Sequence, residues 1–219
     1  MLTRIRPALF PLCAAAAILL AAQARGAAFQ NGSFETANPP YSDGFETLAG
    51  GSTVITGWTV RADSVDYINS YWNAEDGSYS LDLDGNAPGG IEQTFDTTPG
   101  QAYTATFYLA GNPACGSTIK QLNVWASGNP TSHYSFDVTG HSTGSMGWQQ
   151  ERYTFVASGP STTLVFQSAD TGGGCGPALD NVSVAEFEPV PAVSPVGAAT
   201  LALLLAAAGC AALARRLAA

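Results

Sequence analysis

Tyr103-Thr104-Ala105-Thr106-Phe107-Tyr108-Leu109 alternates apolar and hydroxylated residues, and that alternation decides the fold. In an extended strand successive side chains point to opposite faces, so Tyr103, Ala105, Phe107 and Leu109 share the core face. A helix would scatter the same residues around its circumference. Similar short stretches recur at Ser64 to Ile68, Tyr79 to Leu83, Ile91 to Phe95, Lys120 to Trp125, Arg152 to Ala157, Thr162 to Ser168 and Ala178 to Val184. Clusters of Gly, Pro, Asn and Asp separate them, among them Asp84-Gly85-Asn86 and Thr98-Pro99-Gly100, and no sustained 3.6-residue period intervenes. Seven or eight strands in one small domain must form two packed sheets, so the expectation is an all-β jelly-roll sandwich. No internal repeat supports a propeller or solenoid.

The two ends of the chain read differently. Arg4 and Arg6 precede an apolar run from Leu9 to Ala22 and the small-residue stretch Ala22-Gln23-Ala24, the pattern of a secretory signal peptide cleaved between residues 24 and 28. Cys13 lies inside that apolar run. At the other end Val196 to Ala214 is almost free of charge and is followed at once by Arg215 and Arg216. As a helix it would reach roughly 28 Å, close to the ~30 Å hydrocarbon core of a bilayer, and the paired arginines would stay cytoplasmic. The expected organisation is a signal peptide over 1–28, a sandwich domain over 29–188, a linker over 189–195, a transmembrane anchor over 196–214 and a basic tail over 215–219. The expected location is the cell envelope or surface, with initial anchoring in the inner membrane.

Between these ends only Arg61, Lys120 and Arg152 face all seventeen carboxylates. Such an acidic module repels nucleic acid and anionic headgroups and favours neutral ligands or cations. Cys115 and Cys175 are the only thiols left to the exported domain, both in glycine-rich loop sequence, and export predicts that they pair. The bond would close a loop of ~60 residues and contribute ~4 kcal/mol on the chain-entropy account. Two thiols alone do not make a zinc site, and neither His133 nor His141 stands at finger-like spacing.

Several motifs follow one another in a fixed order: Asn31-Gly32-Ser33-Phe34-Glu35, Ile55-Thr56-Gly57-Trp58-Thr59-Val60, Ser64-Val65-Asp66-Tyr67-Ile68, Trp72, Gly77 to Gly85, Pro88 to Phe95, Phe107 to Asn112, and Gly176-Pro177-Ala178-Leu179-Asp180-Asn181-Val182-Ser183-Val184. The series resembles the bacterial choice-of-anchor C family, whose extracellular domain is joined to differing C-terminal sorting tails. That family is similar to plant cell-wall proteins of a domain of unknown function with the galactose-binding-like jelly-roll fold. The tail, Val190-Pro191-Ala192-Val193-Ser194-Pro195-Val196-Gly197 with its apolar run and Arg-Arg, resembles the IPTL type of sorting signal. It departs from that type in having Val196 where tryptophan is usual. The resemblance implies a membrane sorting protease as a partner. It also implies a structural calcium held by Glu35 and Asp180, because in galactose-binding-like modules the opening and closing strand motifs often meet to clamp that ion. The alternative for these two carboxylates is hydrogen bonding to loop amides.

The residues opposite the core face of each strand suggest the ligand surface. With Leu122, Val124 and Phe166 inward, Gln121, Asn123, Trp125 and Gln167 face out; with Phe107 inward, Tyr108 faces out. Aromatic rings for stacking and amides for hydroxyls are what a neutral sugar needs. Trp125, Tyr108 and Trp72 are the expected aromatic contacts, with Gln121, Asn123 and Gln167 as amides. No G-x-S-x-G elbow, H-E-x-x-H helix or phosphate-binding glycine loop is present. The sequence therefore points to a non-catalytic glycan-binding module, with a structural or adhesive surface protein as the alternative and a hydrolase as the third reading.

Overall fold

The computed structural model describes residues 27–187; the expected signal peptide, sorting motif and membrane anchor lie outside them. The strands are β1 (Phe45–Ala49), β2 (Thr59–Ala62), β3 (Ser64–Ile68), β4 (Ser80–Asp82), β5 (Gly89–Asp96), β6 (Ala102–Gly111), β7 (Ile119–Ala126), β8 (Ser132–Asp137), β9 (Gln149–Val156), β10 (Ser161–Ser168) and β11 (Pro177–Glu186). They form an antiparallel sandwich of a six-stranded sheet, in the order β1-β3-β4-β11-β6-β9, and a five-stranded sheet, in the order β2-β5-β10-β7-β8. The expected two-sheet fold is present, and all eight anticipated strands appear. β1, β2 and β8 were not anticipated.

The decisive stretch forms most of β6, and Tyr103, Ala105, Phe107 and Leu109 are buried as the alternation requires. Across the sandwich Phe107 meets Phe166 of β10 edge-on, with ring centroids 5.1 Å apart. Phe166 in turn approaches Trp58, which packs against Phe34, so the core is an aromatic chain linking both sheets. Burying side chains of this size contributes roughly 1.5–3 kcal/mol each.

The opening motif closes one end of this core. Asn31 donates through Nδ2 to the carbonyls of Thr36 and Thr56, its Oδ1 accepts from the Thr36 amide, and its own carbonyl accepts from Trp58 Nε1 at 2.9 Å. Tyr67 Oη donates to the Phe34 carbonyl at 2.6 Å. These bonds satisfy backbone groups that the irregular N-terminal segment would otherwise bury unpaired. β11 pairs with β6 along its length, with a register shift between Asp180 and Ser183 where Asn181 takes a positive φ of 46°. Asp180, just before that irregularity, pairs with Tyr108 and so shares its outward face, where the loop between β3 and β4 buries it.

Candidate functional sites

The outer face of the five-stranded sheet collects most of the expected ligand contacts. Strand register places Arg61, Gly90, Gln167, Asn123 and His133 in one row across β2, β5, β10, β7 and β8. The neighbouring row runs Thr59, Glu92, Val165 and Trp125. Gln121 lies two residues further along β7 on the same face and is exposed. At the centre, Arg61 Nη1 donates to Glu92 Oε2 at 2.6 Å, and its guanidinium carbon stands 5.1 Å from the centroid of the Trp125 ring. Val165, paired with Trp125 in the register, is only 2% exposed although its side chain is on this outer face. Gly90 supplies no side chain to the row, and a Cβ there would stand 2.6 Å from the Phe166 carbonyl oxygen. The result is a face with an aromatic wall and an amide row, and β5 lies close against β10 at Gly90. Asn123 Oδ1 lies 2.5 Å from His133 Nδ1, which leaves the Asn123 amide nitrogen available as a donor.

Two expected aromatic contacts fall elsewhere. Tyr108 does face outward, but from β6 in the other sheet, where its hydroxyl accepts from Gln150 Nε2 at 3.2 Å. It cannot share one ligand surface with Trp125. Trp72 is 4% exposed and donates through Nε1 to Ser80 Oγ at 2.7 Å, so its ring is core and offers no open face. Arg61 and His133 were missed because β2 and β8 were not read as strands, and Glu92, on the anticipated β5, joins the site only as the partner of Arg61.

Glu35 and Asp180 both serve the loop between β3 and β4. Glu35 Oε1 accepts from the amides of Ser78 and Tyr79 at 2.8 and 2.7 Å. Asp180 Oδ2 accepts from the amides of Glu75 and Asp76 at 2.7 and 3.0 Å, and Oδ1 from the Asn181 amide at 2.6 Å. Gly77, at φ 67°, lies so close to the Glu35 carboxylate that an added Cβ would stand 2.4 Å from its carbon. The loop is thus wrapped around the two carboxylates. The hydrogen bonds are those of loop bracing, the alternative to the calcium role that the resemblance implies, and Glu35 Oε2 takes no part in them.

A third region lies at the loop end of the sandwich. Cys115 and Cys175 form the expected disulfide, with Cα atoms 5.5 Å apart. Beneath it Lys120 is wholly buried, and its ammonium donates to the carbonyls of Cys115 and Cys175 at 2.8 and 2.6 Å. Asp82 is equally buried and fully bonded: Oδ1 accepts from the amides of Asp84 and Gly176, and Oδ2 from Asn112 Nδ2 at 2.8 Å. Asp84 differs. It is 1% exposed, yet neither carboxylate oxygen has a hydrogen-bond partner. Burial pushes its carboxyl up to about 6, against the lowering pull of the nearby Ser168 hydroxyl; the Asp170 charge raises it further and Lys120 lowers it. Asp84 and Asp170 line one cavity of about 250 Å³ together with Ser117, Gln121 and Thr171. Gly176 gives this carboxylate room, since a Cβ there would stand 2.5 Å from the Asp84 carboxyl carbon.

The chain is 37% identical over 184 residues to halomucin of Haloquadratum walsbyi (strain DSM 16790 / HBSQ001), a match covering 78% of this chain and 2% of that protein. It thus spans about 2% of the length of that relative. Among solved structures it is similar to the CBM35 of Paenibacillus barcinonensis, with 17% identity and a TM-score of 0.42 over 64% of this chain and 98% of that one. It is also similar to TmCBM61, solved in complex with beta-1,4-galactotriose, with 15% identity and a TM-score of 0.42 over 73% of this chain and 97% of that one. Residues 27–185, the sandwich through the penultimate residue of β11, match the family described as Protein of unknown function (DUF642), and the chain belongs to that family.

Proposed function

We propose that the sandwich is a non-catalytic module that binds a neutral glycan on the outer face of its five-stranded sheet. The observation that carries this reading is the register row itself. Trp125 supplies an aromatic wall, and Gln167, Asn123 and Gln121 supply amides on the same face. Arg61 holds one face of Trp125 and is itself fixed by Glu92, so the indole is preoriented before ligand arrives. The excess of carboxylates over cations in the domain selects against uronate-rich or sulfated chains. On this reading the domain is exported and displayed at the envelope by a C-terminal sorting tail of the IPTL type, as in the choice-of-anchor C proteins. The test is a glycan array followed by affinity electrophoresis. Binding should fall at least tenfold in Trp125→Ala and Asn123→Ala and stay unchanged in Tyr108→Ala. Loss of binding in Tyr108→Ala alone would move the site to the other sheet.

A second reading, adhesion through protein contact, is favoured by one observation. Phe45 on edge strand β1 is 49% exposed and stacks edge-on against exposed Tyr71, with ring centroids 5.7 Å apart. Exposed aromatics beside an unpaired strand edge are features of protein-binding surfaces.

A further inference from the structure

The loop-end cavity is unexplained by glycan binding on the sheet face. Its floor carries a carboxylate that is buried, unpartnered and aimed into the space, an arrangement that costs several kcal/mol unless something answers it. Lys120 is the nearest cation, but its ammonium is spent on two carbonyls. Arg61–Glu92 is the one ion pair among the described residues, so Lys120 is paired with neither Asp84 nor Asp170. Three carboxylates, Asp170, Asp82 and Asp84, act on that single ammonium, and of these Asp84 and Asp170 line the cavity. Asp82 has its oxygens filled by three N–H donors; Asp170 gives Oδ1 to the Gln121 amide at 2.9 Å and keeps Oδ2.

From this geometry we infer that the cavity is a divalent-cation site, with Asp84 and Asp170 as its carboxylate ligands. The remaining donors are hard oxygens as well, the hydroxyls of Ser117 and Thr171. Calcium accepts six to eight such oxygens at flexible geometry, water included, and a cavity of about 250 Å³ has room for the ion with several of its waters. Among the described residues no three His, Cys, Asp or Glu side chains converge, so the site offers only two carboxylates. That sets its affinity at the weak end, in the ~10⁻⁴–10⁻³ M range of extracellular calcium modules. The site is separate from Glu35 and Asp180, whose oxygens serve the β3–β4 loop. By tying the β4–β5 loop at Asp84 to the β10–β11 loop at Asp170, the ion would brace the same loop end that the disulfide holds.

The experiment uses the full chain in mild detergent, stripped with a chelator and titrated with calcium chloride by calorimetry, with melting followed in parallel and no glycan present. One calcium per chain is expected, with the melting temperature rising as it binds. Asp170→Asn should weaken binding about tenfold. Asp84→Asn should abolish it while melting no lower than the calcium-free wild type, because the isosteric amide removes a buried charge. Glu35→Gln should leave it intact. A wild type that melts identically with and without 10 mM calcium overturns the proposal. Binding that survives Asp84→Asn but is lost in Glu35→Gln overturns it too, and assigns the ion to the strand-end pair. Glycan binding is measured separately, so neither outcome bears on the sheet-face reading.

Discussion

The disulfide and the buried lysine beneath it should behave as one unit. Cys115 and Cys175 are 60 residues apart in sequence, so breaking their bond restores to the unfolded chain a closure entropy of about 4 kcal/mol. The folded state loses something as well. The two carbonyls that receive the Lys120 ammonium belong to the bridged cysteines themselves, and hydrogen bonds to a charged group contribute ~1.5–3 kcal/mol each. If the freed loops separate enough to forfeit one of these bonds, Cys115→Ser with Cys175→Ser should cost ~5–7 kcal/mol in all. For a domain of this size that lowers the melting temperature by roughly 10–25 °C. Urea unfolding followed by tryptophan fluorescence measures it directly. A double-mutant cycle then separates the two contributions. Lys120→Met should cost about 1–3 kcal/mol with the disulfide intact and distinctly less in the double-serine background, where the carbonyls no longer converge. A double-serine variant destabilised by less than ~1 kcal/mol would refute the closure argument. An identical cost of Lys120→Met in both backgrounds would refute the claim that the disulfide positions the lysine's partners.

Asp180→Ala should cost about 3 kcal/mol, since it strips three amides of their acceptor at a buried position, whereas Glu35→Ala, at an exposed one, should cost under ~1 kcal/mol. Equal costs in chemical denaturation would mean that burial does not set the difference. Burial pushes both Asp82 and Asp180 up to about 7, well above the unfolded value of 3.8. The folded chain therefore holds more protons than the unfolded one between those values, and stability should fall as pH rises from 4 to 7 and then level off. Melting should accordingly be higher at pH 5 than at pH 8; the reverse order would show that the amide bonds to these carboxylates outweigh their burial. Deleting the chain from Val190 onward should release the domain from the membrane fraction, and continued retention would count against an anchoring role for the tail.

Among the strands that the sequence revealed, β3 and β4 are buried throughout, while β6, β7 and β10 have one core face and one half-covered face. In β6, β7 and β10 the alternation of apolar and polar residues is a direct print of that asymmetry. β1 and β8 were hidden because they are edge strands with mostly exposed side chains, Phe45-Glu46-Thr47-Leu48-Ala49 burying only Leu48. β2 was hidden by its length, four residues being too few to show a period. These omissions decided what could be said of the sheet face. Trp125, Asn123 and Gln121 were legible from β7 alone, but Arg61 and His133 complete the row only through pairing with strands that left no pattern. Tyr108 shows the opposite limit. Parity within one strand tells inside from outside and says nothing of which sheet the strand joins.

The loop-end cavity was more readable than the sheet face. Lys120 has the same parity as Leu122 and Val124, so placing those two inward already commits an ammonium to the core. Asp82 and Asp84 share a parity next to Leu81 and Leu83, and all four are buried. A buried cation and two buried anions from different strands, close to the only two cysteines of the domain, must meet or each bear the full cost of desolvation. Sequence parity could thus have announced a charged cluster under the disulfide. What it could not supply is the distribution of partners within that cluster: Asp82 takes the N–H donors, Lys120 takes the carbonyls, and Asp84 is left with an open cavity in front of it. That remainder emerges only when three loops are assembled in space, which is why the candidate cation site belongs to the structure and the charges that build it to the sequence.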